Sequence, residues 1–390
     1  MNCIYFDNSA TTKPSEASLR KMGEALAVSY GNPSSVHRMG NDAKKMLEEA
    51  RKKVVLSMGL RRADDCRLVF TSGGTEANNL AIFGSVFAKD RPLKNGSRGK
   101  IFISDGEHSS VVNAAKRLAS EGFTVLEVPT KDGVLDLDFI RENSDGNTIL
   151  ASFMLANNET GAIYDVKSAF EIIRAASHRA VCHVDAVQAY LKMKFTPASL
   201  GADALSVSSH KIFAPKGAGA LYLTHEMIKA KRIIPIIWGG GQEDSFRSGT
   251  ENVPAIVAFG EAAAEGKAEL EKRIETISGL REKLLCGLSH TSVRANIPEK
   301  HLPNIINLTL PGIRSEIMLN YFSGQGICIS AGSACSTHSS GPSHALLAYG
   351  LPKEEADTSV RISLSHENTE EEIEIFLGAL EKGLNTLAKR

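Results

Sequence analysis

The segment Ala204-Leu-Ser-Val-Ser-Ser-His210-Lys211 is followed directly by Ile212-Phe-Ala-Pro-Lys-Gly-Ala-Gly-Ala-Leu-Tyr-Leu223. A short apolar run ends in two hydroxyls, an imidazole and an amine, and a Pro/Gly turn then leads into a second apolar run. This order predicts a strand, a polar loop and another strand. A lysine held where a strand stops can be desolvated enough to lose its proton and condense with an aldehyde. The alternative is a solvated loop lysine, so a chemical role for Lys211 needs support from the rest of the chain.

Composition places the chain among ordinary globular proteins. Of its 390 residues, 42% are hydrophobic and 23% are charged, which suffices for one large domain and a smaller one. With 45 basic and 45 acidic residues the formal charge is zero, which favours a small-molecule partner over a nucleic acid or a membrane. No targeting or transmembrane segment is apparent, so we expect a cytoplasmic protein. The six cysteines lack paired spacing, which argues against structural disulfides and bound metal.

A glycine turn links the first clear strand to a helix. Residues 67–71 are predicted to form the strand, and Ser72-Gly-Gly-Thr75 leads straight into the helix. The glycines let the backbone approach a ligand closely, while free amides and the positive end of the helix dipole favour an anion. The turn therefore predicts a phosphate site, although it has neither a Walker lysine nor a dinucleotide fingerprint. The alternative is an ordinary glycine turn that Thr75 caps.

The alternation of strand and helix continues through the next hundred residues. Strands are predicted at 100–104, 123–128, 148–153 and 180–185, and helices at 109–121 and 166–177. His108 enters one of these helices, where it is either a harmless cap or a ligand-edge residue, and Asn157 follows a strand. Asp185 is the most informative, because a carboxylate that ends an apolar strand needs a partner such as a pyridinium nitrogen.

These strand ends meet if the repeats form one mostly parallel sheet, because parallel strands place their C-terminal loops along one edge. A single ligand would then offer a phosphate to residues 73–75, a ring nitrogen to Asp185 and an aldehyde to Lys211. Pyridoxal phosphate has all three groups. The protein's part is to keep the ring nitrogen protonated and to present the aldehyde to the lysine.

A second, smaller α+β unit is predicted after the glycine-rich loop at 239–252. The predicted elements are a helix at 253–288, strands at 305–310, 326–330 and 360–363, and helices at 315–322 and 369–388. Thr369 and Glu372 fit a capping box at the start of the last helix. Near the N-terminus, Asn41 or Asp42 is expected to cap a helix at 43–58.

One cysteine differs from the others. Cys335 lies in Ile329-Ser-Ala-Gly-Ser-Ala-Cys335-Ser-Thr-His-Ser-Ser-Gly-Pro342, whose glycines and small polar residues predict an exposed loop. Cys182 and Cys328 are on apolar strands and are expected to be buried. An unperturbed thiol has a pKa of about 8.5, so Cys335 needs a nearby base or cation to react at neutral pH. His108 is the candidate base.

A series of motifs resembles one family over essentially the whole chain. In order they are DNSATT (7–12), NPSSVH (32–37), TSGGTEANN (71–79), EH (107–108), NNETG (157–161), HVDAVQ (183–188), SSHK (208–211), GGGQE (239–243), RSGTEN (247–252), GSACS (332–336) and VRISL (360–364). The series resembles the cysteine desulfurases of the NifS/IscS type, which are pyridoxal-phosphate enzymes of aminotransferase class V.

The resemblance implies the pyridoxal-phosphate-dependent transferase fold of type I. A large cofactor domain with a mostly parallel central sheet flanked by helices would span residues 15–257. A smaller α+β domain, residues 1–14 and 258–390, would carry the cysteine loop at about 330–342, and the protein would be a homodimer. The implied reaction converts L-cysteine to L-alanine. Its sulfur passes to an enzyme persulfide and then to an acceptor protein for iron–sulfur cluster, thio-cofactor or tRNA synthesis.

The resemblance also assigns roles to single residues. Lys211 resembles the lysine that binds the cofactor aldehyde, His108 the histidine that stacks on the ring and assists proton transfer, and Cys335 the thiol that takes the sulfur. The remaining cofactor ligands implied are Gly74, Thr75, Ser208 and His210 near the phosphate, Thr250 from the other subunit, Asn157, Asp185 at the ring nitrogen and Gln188 at the ring hydroxyl. Asn157 and Arg361 resemble the residues that hold the substrate carboxylate, since a planar guanidinium binds a carboxylate at two points.

Two alternatives stay open at this point. A selenocysteine lyase or another lyase or aminotransferase of the same class would not require Cys335. A sulfur-relay or docking protein without turnover would have no need of Lys211, Asp185 and His108. For Arg361, the alternative role is a surface ion pair.

Overall fold

The computed structural model describes residues 3–88, 98–331 and 342–387. The strands are β1 (Ile4–Tyr5), β2 (Arg67–Thr71), β3 (Lys100–Ser104), β4 (Thr124–Val128), β5 (Thr148–Met154), β6 (Val181–Asp185), β7 (Ala204–Ser208), β8 (Gly219–Leu223), β9 (Arg294–Asn296), β10 (Ile305–Thr309), β11 (Ile327–Cys328) and β12 (Ser359–Ser363). The helices are α1 (Glu16–Ala27), α2 (Arg38–Ser57), α3 (Gly74–Val86), α4 (Ser109–Ser120), α5 (Leu137–Asn143), α6 (Val166–Ala176), α7 (His225–Lys229), α8 (Val253–Ala268), α9 (Leu270–Leu288), α10 (Ser315–Gly324), α11 (His344–Ala348), α12 (Lys353–Asp357) and α13 (Glu370–Thr386).

Seven strands form the central sheet, in the order β2-β8-β7-β6-β5-β3-β4. Five of them, β4, β3, β5, β6 and β7, run parallel to one another, whereas β8 runs antiparallel to both β7 and β2. The predicted mostly parallel sheet is therefore confirmed. The exception has a local cause, because only residues 209–218 join β7 to β8 and a parallel return needs a crossover of about a dozen residues or more.

Helices cover both faces of this sheet because its strands are apolar on both sides. Strands β5, β6, β7 and β8 are buried along their whole length. On one face α2, α6 and α8 pack in an apolar cluster with Phe70 and Phe153. On the other face α3 and α4 pack with Ile101 and Leu221. The burial fixes the strands firmly, so the loops at their carboxyl ends start from rigid positions.

A second sheet lies in the C-terminal part of the chain. Its strands are antiparallel in the order β12-β10-β9, and β1 pairs in parallel with β11 beside it. Helices α9, α10 and α13 cover these strands, and the N-terminal residues Ile4 and Phe6 belong to the same apolar cluster. The edge of the Phe6 ring contacts Phe376, with centroids 5.9 Å apart. Ile4 and Phe6 thus pack with the C-terminal sheet, while the predicted domain boundaries at 1–14, 15–257 and 258–390 stay a prediction.

Two helix predictions were wrong in their limits. Helix α2 begins at Arg38, and His37 caps it by accepting the N–H of Gly40 at 3.3 Å, so the predicted caps at Asn41 and Asp42 are wrong. An imidazole nitrogen, like a hydroxyl oxygen, can accept a hydrogen bond from a backbone N–H, although histidine is not among the preferred N-cap residues. The single helix predicted at 253–288 is two helices that meet at Glu269.

The strand and cysteine predictions in the smaller sheet need one further correction. The strand predicted at 326–330 is reduced to Ile327–Cys328. Cys182 is buried as predicted, but Cys328 is only partly buried, and its Sγ lies 3.3 Å from that of the exposed Cys3. The capping box of Thr369 and Glu372 is confirmed. No helix in the described ranges is both long and apolar enough to span a bilayer.

Candidate active site

A cavity of about 200 Å³ opens at the carboxyl edge of the central sheet. It brings together most of the residues predicted from the sequence, namely Gly74, Thr75, His108, Asp185, Gln188, Ser208, His210, Lys211 and Arg361. The convergence follows from the parallel strands, because β6 ends at Asp185, β7 ends at Ser208 and α3 begins just after β2. The cavity is therefore the candidate active site.

Lys211 ends a single 3₁₀ turn that follows β7. Its Nζ donates to the carbonyl oxygen of Ser9 and, at 2.7 Å, to that of Ala10. Two carbonyl dipoles from the N-terminal segment thus hold the amine at the cavity wall. The neighbouring His210 lies with Nδ1 3.2 Å from Thr11 Oγ1, and burial together with the Lys211 charge lowers the pKa of His210 to about 3. His210 is therefore a neutral ligand at physiological pH.

Asp185 is buried and is held by two donors. Its Oδ2 accepts from Asn78 Nδ2 at 2.7 Å, and its Oδ1 accepts from the Val187 N–H at 2.9 Å. These bonds stabilise the charged carboxylate and leave it facing the cavity, where it can accept from a ring N–H. Sequence reasoning missed Asn78, although its place one helical turn beyond Gly74 in the glycine-turn helix was a usable signal.

His108 combines both of the roles that the sequence left open. It caps α4, where Nδ1 accepts the N–H of Ser110 at 3.2 Å, and its ring also lines the cavity. Because Nδ1 accepts, the neutral ring carries its proton on Nε2. Burial lowers the pKa of His108, and the nearby Asp185 carboxylate opposes that shift. The histidine is thus fixed in place by its backbone contact.

The glycine turn has the geometry of an anion site. Helix α3 begins at Gly74, Gly73 is its N-cap, and no side chain caps it, so the alternative of an ordinary turn capped by Thr75 is wrong. A Cβ on Gly74 would lie 2.8 Å from Val187 Cγ2, and one on Gly219 would lie 2.6 Å from the Gly73 backbone. The close approach needs glycine and leaves the first helical amides unpaired within the helix.

Arg361 is a buried cavity residue, so the alternative of a surface ion pair is wrong. Its side chain is 1% exposed. Nη1 donates to the Asn158 carbonyl at 2.9 Å and Nη2 to Asp7 Oδ1 at 2.7 Å, while Nε has no partner among the described residues. A buried donor of this kind is costly unless a ligand accepts from it. A carboxylate is the ligand that a guanidinium edge binds best.

Two predicted residues of the described chain do not line the cavity, and a third is not among the described residues. The Asn157 side chain is committed to its own loop, since Nδ2 donates to Gly106 O at 3.1 Å and Oδ1 accepts the Glu159 N–H at 2.9 Å. Thr250 is exposed and lies outside the cavity. Cys335 lies outside the described residues. The lining residues that the sequence did not single out are Ser9, Ala10, Asn78, Ser110, Met154, Ala156, Asn158 and Val187.

The cavity fits pyridoxal phosphate on its own chemistry. Ser208 Oγ is a buried hydroxyl without a partner among the described residues, and it lines the cavity with Gly74 and Thr75, as a phosphate contact requires. Asp185 supplies a carboxylate for a ring N–H, and Lys211 supplies an amine for the aldehyde. The donor set therefore matches the three groups of the cofactor.

Comparison with known proteins also points to a pyridoxal-phosphate enzyme. The aminotransferase class-V family model matches residues 4–376, so the chain belongs to this family of pyridoxal-phosphate enzymes. Among its curated relatives, "Cysteine desulfurase IscS 1" of Archaeoglobus fulgidus is 39% identical over 380 residues, covering 96% of this chain and 95% of that protein. "Cysteine desulfurase IscS" of Methanosarcina thermophila is 38% identical over 379 residues, which cover 96% of this chain and 90% of that protein.

Solved structures agree in shape as well as in sequence. A "NifS-like protein" superposes with a TM-score of 0.89 at 35% identity and covers 99% of this chain and 100% of its own. A NifS-like protein from Rickettsia africae has a TM-score of 0.86 at 31% identity, with 99% and 100% coverage. A structure described as SspA in complex with cysteine has a TM-score of 0.79 at 30% identity, with 94% and 100% coverage. The type I fold is thereby confirmed.

Proposed function

We propose that this chain is a pyridoxal-phosphate-dependent cysteine desulfurase, which converts L-cysteine to L-alanine and receives the sulfur as a persulfide on Cys335. The observation that carries the proposal is the placement of Lys211, Asp185 and the buried Arg361 around one cavity that a glycine turn completes. The relatives named as cysteine desulfurases support the choice of substrate.

The cofactor is held from three sides. The helix α3 amides, Thr75, Ser208 and the neutral His210 would bind the phosphate, and Asp185 would keep the ring nitrogen protonated. When bound, pyridoxal phosphate supplies an aldehyde for the amino group and an electron sink for the carbanion. The Asn78 and Val187 bonds to Asp185 fix the carboxylate, so that its charge is available without reorganisation.

Lys211 and His108 move the protons. The Lys211 Nζ, once released by the substrate amine, takes the proton from the α-carbon of L-cysteine and can return it on the same side. His108 donates or accepts at Nε2, because Nδ1 is occupied by the Ser110 N–H. The two groups line the same cavity as Asp185. A proton can therefore be handled there without bulk water.

Arg361 holds the substrate carboxylate. Its Nε has no partner among the described residues, while the contacts to Asp7 and Asn158 lock the guanidinium plane. Such a contact would hold the substrate in the cavity that Lys211 also lines, within which its α-proton can be removed. The sulfur of Cys335 then bonds to the substrate sulfur as the substrate's carbon–sulfur bond breaks, and the carbon takes up protons to become alanine.

The described residues on either side of Cys335 are attached to the cavity rim. The Ser330 N–H donates to the Arg361 carbonyl at 3.2 Å, Ser343 Oγ donates to Glu159 at 2.5 Å, and His344 Nε2 lies 2.8 Å from Glu107 O. Four residues separate Ser330 from Cys335, so the thiol is five residue steps from Ser330, a span of roughly 18 Å at most. That reach supports access of Cys335 to a substrate in the cavity.

The same proposal includes a homodimer and an acceptor protein. Large apolar side chains are strongly exposed, with Val36 at 94%, Trp238 at 77% and Tyr30 at 73% exposure, which is typical of a surface that a second copy covers. Thr250 is also exposed, twelve residues after Trp238 in the sequence, and would reach the partner's phosphate. The acceptor of the sulfur is proposed to be a protein thiol. The cytoplasmic location stays a prediction.

Replacing the thiol tests the function directly. We expect Cys335→Ser to retain the visible absorbance of the bound cofactor but to lose alanine and sulfide production from L-cysteine in the presence of a reductant. Cys286→Ser, which changes an exposed cysteine on α9, is the matched control and should behave as the wild type. Full activity in Cys335→Ser would favour a selenocysteine lyase or another lyase of this class. No alanine from the wild type would leave only a sulfur-relay role.

A further inference from the structure

A second, smaller cavity lies behind Lys211. Its volume is about 30 Å³, and Lys211 lies in the wall of both cavities. The polar residues of its lining include Lys192, Arg273, Asn304 and His366. None of the carboxylates in the described chain lines it. The charged groups in its wall are therefore all cationic, and apolar side chains supply most of the remaining wall.

Several polar atoms around this cavity have no protein partner. Asn304 is 2% exposed, and neither its Nδ2 nor its Oδ1 has a hydrogen-bond partner among residues 3–88, 98–331 and 342–387. His366 Nδ1 is also buried without a partner in those ranges. A cavity of about 30 Å³ has room for one or two waters, and Asn304 and His366 would be their polar partners. Such waters would satisfy Asn304 and His366 and complete the hydration of the Lys192 ammonium.

Lys192 connects this cavity to the cofactor site through one side chain. Its Nζ donates to Gln188 Oε1 at 3.1 Å, while Gln188 Nε2 donates to the Ser9 carbonyl at 2.9 Å. Both ends of the amide are thereby oriented, which leaves one N–H of Gln188 available toward the active-site cavity. Ser9 also accepts from Lys211. Lys192, Gln188 and Lys211 thus share one hydrogen-bonded group behind the cofactor.

The charge around Lys192 is unbalanced. It makes no ion pair with any described carboxylate, and the groups that face it are Lys211 and Arg361, with Arg273, His210 and His366 nearby. Arg273 is already neutralised by Glu265 and Glu269. Burial, Lys211 and Arg361 lower the pKa of Lys192 to about 7. A buried ammonium without a carboxylate is costly unless a ligand brings negative charge.

We propose that Lys192 is a positioning residue for the cofactor, which fixes the Gln188 amide against the ring oxygen and places a positive charge behind that oxygen. The inference rests on the proposed cofactor pose, in which Gln188 donates to the ring hydroxyl. The ionised ring oxygen then supplies the negative charge that the cluster lacks. The ammonium acts through Gln188 and does not touch the substrate.

The test uses the purified holoenzyme and its visible absorbance. In Lys192→Met we expect the dissociation constant for pyridoxal phosphate to rise about 10-fold, because one charge-assisted contact is lost. The pH at which the absorbance of the bound cofactor changes should move upward by roughly one unit, since removing a cation makes a neighbouring proton harder to lose. Lys194→Met changes an exposed lysine paired with Glu271, and it should leave both values unchanged.

Two further variants separate the possible outcomes. Lys192→Gln keeps a donor near Gln188 but lacks the charge, so it should show the same upward pH shift, and it replaces Lys192→Met if that variant does not fold. If Gln188→Met changes the spectrum but neither Lys192 variant does, the inference is refuted and the cofactor pose stands. If Gln188→Met also leaves cofactor affinity and spectrum unchanged, the proposed pose itself is refuted, and the inference with it.

Discussion

Replacement of Arg361 by lysine is the most direct test of how this enzyme recognises its substrate. The guanidinium is 1% exposed, its Nη groups are held by Asp7 and Asn158, and only the Nε edge lacks a partner among the described residues. A lysine ammonium keeps the charge but has no planar fork, so Arg361→Lys loses at least one charge-assisted hydrogen bond to the substrate carboxylate.

The size of the effect follows from that bond. A hydrogen bond to a charged group contributes about 1.5–3 kcal/mol, which corresponds to a decrease of about 10- to 150-fold in kcat/KM for L-cysteine. Most of the change should be in KM, since the contact exists before the reaction starts. The cofactor absorbance should be unaffected, because the ring and phosphate contacts lie elsewhere in the cavity.

Sulfide production in the presence of a reductant, at varied L-cysteine concentration, measures the change, and cysteamine, which lacks the carboxylate, supplies an internal comparison in the same assay. The wild type should discriminate strongly between the two compounds, and Arg361→Lys should lose most of that discrimination. Arg281→Lys is the matched control, because Arg281 is also buried, donates to Ile305 O at 2.7 Å and does not line the cavity. An unchanged KM in Arg361→Lys, or an equal rise in Arg281→Lys, would contradict the assignment.

Three further predictions concern stability and thiol chemistry. Arg51→Met leaves the buried Glu243 carboxylate without its partner at 2.8 Å, so the free energy of unfolding measured in urea should fall by about 3–5 kcal/mol. A loss below about 1 kcal/mol, which is typical of an exposed pair, would contradict burial of this pair. Burial raises the pKa of Glu107 to about 8, so the folded state holds a proton that the unfolded chain releases from pH 4.5 upward. Stability should therefore decline between pH 4.5 and about 8, and thermal unfolding of Glu107→Gln should lack this decline. A thiol oxidant should form a disulfide between Cys3 and Cys328, whose sulfur atoms are 3.3 Å apart. Thiol titration should then find two fewer thiols than in the untreated protein, and this loss should be absent in Cys328→Ser.

The sequence predicted those parts of the site that depend on local pattern. An apolar run precedes each of Asp185, Ser208 and Lys211. The pattern of apolar residues alone therefore places these three residues at, or just after, the end of a strand. Their meeting at one edge then follows from the parallel arrangement. The glycine turn could also be predicted from the sequence. The close approach of Gly219 to the Gly73 backbone is one that only glycine permits.

Other parts depend on contacts between distant segments, and no local pattern contains them. The carbonyls of Ser9 and Ala10 reach Lys211 from about 200 residues away in the chain. Asn157 and Asn158 are adjacent and chemically identical, yet the first fixes its own loop while the second offers its carbonyl to Arg361. Which asparagine faces inward depends on the loop's turn geometry, and a motif does not specify that geometry.

The N-terminal segment has a consequence for biosynthesis. Asp7 and Arg361 are 354 positions apart, and the same segment continues to the carbonyls that bind Lys211. The residues between them are synthesised in order, so the pocket cannot be complete until the 354 positions from Asp7 to Arg361 have been translated. Binding of the substrate carboxylate must therefore wait for the synthesis of Arg361, and a nascent chain that ends before this residue lacks that contact.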